Sequence, residues 1–332
     1  MKNKKWISLA AAVVLAVTAL PAGVFAAKRD GTEEKLTKVT LNEVAHSIFY
    51  APQYVAIEEG YFKDEGLDLT LVTGFGADKT MTAVISGEAD IGFMGAEASI
   101  YACQEGATDP AVNFAQLTQR AGNFLVAREE MPDFKWEDLK GKKVLGGRKG
   151  GMPEMVFEYI LRKNGLKNGI DPQKDLTIDQ SIDFGSTAAA FTGDDSAAYT
   201  VEFEPSATIL EKEGAGHVVA SLGEASGYVP YTSYSVKTSY MKENPEIIQK
   251  FTNALQKGMD YVQSHTPEEI AEVIAPQFKE TDIDTITTIV KRYYDQDTWK
   301  ENLIFKKDSF ELLQDILEDA GELGERAEYE EL

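Results

Sequence analysis

The stretch from residue 39 to residue 71 constrains the fold more than any other. Its ends, Val39-Thr-Leu-Asn-Glu-Val44 and Gly66-Leu-Asp-Leu-Thr-Leu71, are short apolar runs of strand character. Between them lie a loop, Ser47-Ile-Phe-Tyr50, and a helical run opened by Pro52 and closed by Gly60. Proline suits a first helical turn, where its missing N–H costs nothing, and glycine suits the left-handed residue after a helix. Strand, loop, helix, glycine, strand is the grammar of a parallel sheet. Ligands of open α/β sheets gather where strands end and helices begin. Ser47, Phe49 and Tyr50 are therefore the first candidate binding residues.

The pattern then repeats. Gly74-Phe-Gly76 turns into a helix that Asp78 can cap, with Met81, Val84 and Ile85 on its apolar face and Gly87 as its stop. Ala89-Asp-Ile-Gly-Phe-Met94 is a third strand, and Gly95 opens onto a helix carrying Ile100, Tyr101 and Cys103. Strands are expected at 112–117 and 124–127. After Met131-Pro132 the alternation restarts at Lys142-Lys-Val-Leu145, followed by Gly146-Gly-Arg-Lys-Gly-Gly151 and a helix opened by Pro153. Strands at 176–182, 197–203 and 217–220 continue it. Residues 231–236 are expected to recross, and everything beyond is helical. Thr266-Pro-Glu-Glu269 and Asp308-Ser-Phe-Glu311 have capping-box spacing, and the acidic tail 322–332 is expected to fray. One α/β unit interrupts the other, which gives two lobes and a cleft. Residues 38–127 and 236–332 form the first lobe and 128–235 the second, with crossings near 127–130 and 231–236.

Tyr54-Val-Ala-Ile-Glu-Glu-Gly-Tyr-Phe-Lys-Asp-Glu-Gly-Leu67, followed by Ser86-Gly-Glu-Ala-Asp-Ile-Gly92, resembles the solute-binding proteins of ABC importers. The branch it resembles takes up thiamine-pyrimidine precursors, sulfonates, nitrate and taurine. Asp138-Leu-Lys-Gly-Lys-Lys-Val144 and Asn244-Pro-Glu-Ile-Ile248 fall where that family has them. The resemblance implies an α/β type II periplasmic binding protein fold with C-terminal helices. It also implies a small-molecule ligand, delivery to the transmembrane subunits of an ABC permease, no cofactor and no enzymatic activity. We read the chain as a monomer.

Residues 1–26 read as a signal peptide, with Lys2, Lys4 and Lys5 before an apolar core and cleavage after Ala26. A polar leader, 27–37, follows. The protein is expected to be exported to the periplasm or the extracellular face, and the signal junction has no lipoprotein cysteine. Cys103 is the only cysteine, so no internal disulfide can form, and its apolar surroundings suggest a core position. The chain has 33 Lys+Arg against 55 Asp+Glu, a net charge of −22. Without the three signal lysines the balance is 30 against 55, or −25. That field repels nucleic acid and anionic lipid, and gives no help in steering an anion.

Catalysis finds little support. Nothing places a serine or cysteine nucleophile against His46, His217 or His265, and no cluster has metal-ligand spacing. The resembled group includes a fungal pyrimidine synthase with a cysteine-rich motif, which Cys103 alone does not supply. The first lobe is expected to line the cleft with Ser47, Phe49, Tyr50, Phe75, Gly76, Met94, Gly95, Gln119 and Asn123. The second contributes Arg148, Gly151 and Met152 from the glycine-rich turn, and Thr200, Glu202 and Glu204 from one face of a strand. Aromatic walls and acceptor-only carboxylates suit a neutral or cationic planar heterocycle of the thiamine-pyrimidine kind. Arg120, Arg148 and Lys149 keep a sulfonate, taurine or nitrate ligand as the alternative.

Overall fold

A computed structural model describes residues 35–167 and 175–332. The expected signal peptide and leader residues 27–34 lie outside the described residues. In chain order the strands are β1 (Thr37–Glu43), β2 (Leu67–Thr73), β3 (Ile91–Met94), β4 (Ala111–Thr118) and β5 (Asn123–Ala127), then β6 (Lys143–Leu145), β7 (Thr177–Asp179), β8 (Tyr199–Phe203), β9 (His217–Ser221) and β10 (Thr232–Lys237). The helices begin with α1 (Ala51–Glu58), α2 (Tyr61–Asp64), α3 (Ala77–Ser86), α4 (Glu97–Gln104), α5 (Met152–Lys163), α6 (Thr187–Gly193) and α7 (Ser206–Lys212). They continue with α8 (Leu222–Ser226), α9 (Thr238–Glu243), α10 (Pro245–Ser264), α11 (Pro267–Ile274), α12 (Ile283–Asp295) and α13 (Lys307–Ala320).

Two five-stranded sheets result, ordered β2-β1-β3-β10-β4 and β7-β6-β8-β5-β9. The opening βαβ unit forms as its residues dictate. β1 and β2 pair in parallel from Thr37↔Leu67 to Glu43↔Thr73. Pro52 sits in the first turn of α1, and Gly60 takes the left-handed conformation at φ 77°. β3, parallel to β1 and antiparallel to β10, is buried along its whole length, as a central strand covered on both faces must be.

The crossings differ from expectation. Asn123–Ala127, expected in the first lobe, pairs with β8 through Leu125↔Val201 and with β9 through Leu125↔Ala220. The chain therefore changes sheets at 119–122 rather than 127–130, and returns between β9 and β10. An apolar run fits a central strand of either sheet, so hydropathy alone could not assign it. The C-terminal helices, expected with the first lobe, reach the second sheet as well. Arg292 of α12 binds Glu204 at the end of β8, and the Tyr293 hydroxyl donates to Gly122 O at 2.9 Å.

The ends of the helices supply two contrasts. Thr266 and Glu269 form the expected capping box. The Asp308–Glu311 box does not form, because α13 starts two residues earlier, with Lys306 rather than Asp308 as its cap. The acidic tail is held rather than frayed. Arg326 pairs with Glu311, Asp315 and Glu318, and the Leu332 carbonyl accepts from Asn113 N at 2.7 Å. Arg326 thereby ties the tail to three carboxylates of α13.

Candidate functional site

The helices that follow parallel strands bring their N-termini to one opening between the sheets. A cavity of about 630 Å³ lies there. Asp78, Met81, Glu97 and Tyr101 of α3 and α4 line one side, and Arg148, Lys149, Gly150 and Gly151 line the other. The glycine-rich turn thus lines this cavity. Its cations are already paired: Arg148 with Asp78 across the mouth at 3.8 Å, and Lys149 with Glu322 at 3.1 Å.

The floor is set by Glu97, the first residue of α4, two positions after Gly95 at the end of β3. It is buried, and its Oε2 has no hydrogen-bond partner among the described residues. Burial pushes its carboxyl up to about 7, against its own N–H and that of Met152, which favour the charged form. Any side chain at Gly95 would strike this carboxylate, since a Cβ there falls 2.1 Å from Oε2. Met152 opens α5, and the next residue's carbonyl accepts from Asn123 Nδ2 at 3.4 Å. Asn123 Oδ1 and the Tyr231 hydroxyl are also buried without partners. Burial pushes the Tyr231 hydroxyl well above the ordinary tyrosine range, with Tyr50 and Glu97 adding to it. Orphaned buried polar atoms are costly and uncommon in folded chains. Of the three, Glu97 lines the cavity, and Asn123 reaches the start of α5, where the Met152 N–H meets Glu97.

A buried aromatic cluster packs around Phe49 and Tyr231. Ser47 caps a single 3₁₀ turn, Ile48–Tyr50, by accepting from Phe49 N at 3.3 Å. The turn drives Phe49 into a cluster from both sheets, with ring centroids 5.1 Å from Tyr293, 5.6 Å from Tyr231 and 6.0 Å from Phe203. Trp299 Nε1 donates to the Phe49 carbonyl at 2.8 Å, and Tyr50 packs edge-on against Phe93 at 4.5 Å. Phe49 is thus a core residue. Phe49→Ala is expected to cost about 3–5 kcal/mol of stability. A urea unfolding midpoint unchanged from wild type would contradict that role.

The structure separates the other sequence candidates. Gly151 lines the cavity, Met152 and Gly95 lie against Glu97, and Asn123 bonds the Pro153 carbonyl, while Met94 packs beside Met81 and Val84 beneath α3. Gly76 caps α3 in place of Asp78, and Arg148 stands at the mouth. Phe75 does not join the aromatic cluster: it is 77% exposed, in a left-handed turn at φ 57°. Gln119 points elsewhere, donating to the carbonyls of Asp297 and Trp299. Thr200, Glu202 and Glu204 do share a face, but their polar groups are engaged. Glu202 accepts from Thr200 at 2.6 Å and Thr187 at 3.0 Å. Glu204 accepts from Thr208 N and Oγ1 and pairs with Arg292 at 2.7 Å. Its carboxylate caps α7 instead of facing a ligand.

Sequence reasoning missed Glu97 and Tyr231 as site residues. Glu97 carried a usable signal, an acidic residue opening the helix after a strand-end glycine. Tyr231 carried none, because its role depends on where the return crossing places it.

The NMT1/THI5-like family description matches residues 48–270, more than half of the chain. YtlA, a candidate binding protein of Bacillus subtilis (strain 168), is 46% identical over 99% of this chain and 96% of its own. The riboflavin-binding protein RibY of Chloroflexus aurantiacus is 24% identical, covering 78% of this chain and 74% of its own. The periplasmic aliphatic sulphonate binding protein SsuA of Escherichia coli superposes with a TM-score of 0.69 at 15% identity, over 89% of this chain and 96% of that one. The two sheets, their crossings and the helix-rimmed opening are accordingly those of a periplasmic binding protein fold, and the chain belongs to the NMT1/THI5-like family.

Proposed function

We propose that this protein is the exported solute-binding component of an ABC importer, and that its ligand is a flat heterocycle carrying N–H donors, of the thiamine-pyrimidine kind. The sheets then act as two lobes that close on the ligand and present it to the permease. The observation that carries the ligand class is the unpartnered Oε2 of Glu97 at the cavity, with Asn123 Oδ1 and the Tyr231 hydroxyl also buried and unpartnered. Asn123 Oδ1 can only accept, Glu97 Oε2 accepts once its carboxyl is ionised, and the Tyr231 hydroxyl can do either. An amino group or ring N–H satisfies such a set; a sulfonate oxygen does not. A charged Glu97 beside an anion would also be repelled.

Relatives' names point in both directions, to a flavin in RibY and to sulfonates in SsuA. Two observations favour the anion. The N-termini of α4 and α5 meet at the site, and Arg120 Nε is buried without a partner. Arg120, however, lies on the crossing segment, stacked on Tyr228 at 4.3 Å and donating to Gly223 O at 3.1 Å. No helix among the described residues is long and apolar enough to cross a membrane.

A thermal-shift panel of aminopyrimidines, thiamine, taurine, alkyl sulfonates and nitrate tests the ligand class. We expect stabilisation by an aminopyrimidine-type compound and its loss in Glu97→Gln. Stabilisation by a sulfonate or nitrate alone, retained in Glu97→Gln, would overturn the heterocycle reading.

A further inference from the structure

A second cavity, of about 640 Å³, lies away from the cleft against the connections between the sheets. Gln116 at the end of β4 lines it, together with Lys300, Lys306 and Ser309 from the segment that leads into α13. Lys300 is only 7% exposed, and among the described residues its ammonium has neither an ion-pair nor a hydrogen-bond partner. Burial, reinforced by the charge of Lys306, pulls it below the ordinary lysine range. A buried cation in a chain of net −22 ordinarily finds a carboxylate. The carboxylates at this cavity do not serve. Asp297 accepts from the Tyr228 hydroxyl at 2.6 Å, and Glu301 is exposed.

Two further features point the same way. Helix α13 runs 14 residues, and its cap, Lys306, makes no side-chain bond to the first turn, so its positive end is uncapped. Gln116 is 1% exposed, and its Oε1 has no partner among the described residues. Its Nε2 donates to Thr118 O at 2.9 Å, and a flipped amide would set oxygen against that carbonyl. The cavity thus offers cations and a helix end for negative oxygens, and one fixed acceptor for a hydroxyl.

We propose that this cavity binds a small oxyanion that also carries an O–H donor, such as hydrogen phosphate or a 2-hydroxycarboxylate. Lys300, Lys306 and the start of α13 hold the charged oxygens, and Gln116 Oε1 accepts from the O–H. An occupant touches the β4 end and the segment before α13 together, bracing the connections on which lobe movement turns.

Calorimetric titration with inorganic phosphate, sulfate, glycolate and acetate separates the possibilities. Phosphate over sulfate, and glycolate over acetate, is expected by roughly tenfold, since each pair differs in the donor. Preference within only one pair identifies the ligand type. Lys300→Met is expected to weaken phosphate or glycolate by about tenfold or more. Lys306→Gln, at an exposed position with little bearing on folding, is expected to weaken it several-fold and carries the test if Lys300→Met fails to fold. Binding by none of the four anions, or equal binding by wild type and Lys306→Gln, overturns the proposal.

Discussion

Replacing Arg292 by methionine is expected to lower the unfolding free energy by about 3–5 kcal/mol, the usual cost of removing one partner of a buried ion pair. Its partner Glu204 is fully buried, and the same guanidinium binds Glu211 and the Thr208 hydroxyl. Methionine fills much of the volume, so the loss comes from the carboxylate left behind. A second change, Glu204→Gln, should therefore recover part of it, a non-additivity that a double-mutant cycle reads directly. Urea unfolding is the measurement. A loss below about 1 kcal/mol, or strict additivity, would show that the pair is not a joint between α12 and the second sheet.

Glu97 is expected to make both stability and affinity depend on pH. Its carboxyl sits near 7 in the folded chain against an ordinary 4.5, so the folded state holds a proton that the unfolded state has released. Its contribution to stability is full below the unfolded value and is lost as pH rises through the folded one. Glu97→Gln removes that dependence. The variant should gain on wild type between pH 5 and 8 by up to about 3 kcal/mol, since each pH unit in which only the folded chain holds the proton is worth roughly 1.36 kcal/mol. Glu154 and Glu202, also raised to about 7 by burial, contribute the same sign to both proteins and cancel in the difference. A donor-bearing ligand prefers the charged carboxylate. Wild-type affinity should therefore rise across this window with proton release, while Glu97→Gln stays flat and binds about 10–100-fold more weakly. A pH-independent difference between the two proteins would remove Glu97 from the site.

The order of elements could be read from the chain because each boundary is written in local chemistry. Pro52, Gly60, Gly87 and the Thr266–Glu269 box each fix a helix end through backbone rules that tertiary context did not override. Sheet membership was not local. Residues 123–127 are apolar enough for either sheet, and only pairing with β8 and β9 assigns them. The site divides the same way. Gly95 and Met152, which lie against Glu97, follow from strand-end positions, a property of the sequence. Glu204 faced the expected side of β8, but Arg292, 88 residues later, took its carboxylate. Glu97 inherited the acceptor role because no partner reached its Oε2. Residue type and spacing do not reveal which buried carboxylate is left unsatisfied.

Mass spectrometry of the ligand released from natively purified protein tests the central claim most directly. The account predicts a flat ring compound bearing amino or ring N–H donors, recovered from wild type and depleted in Glu97→Gln. Recovery of a sulfonate or another anion, in equal amount from both proteins, would contradict it.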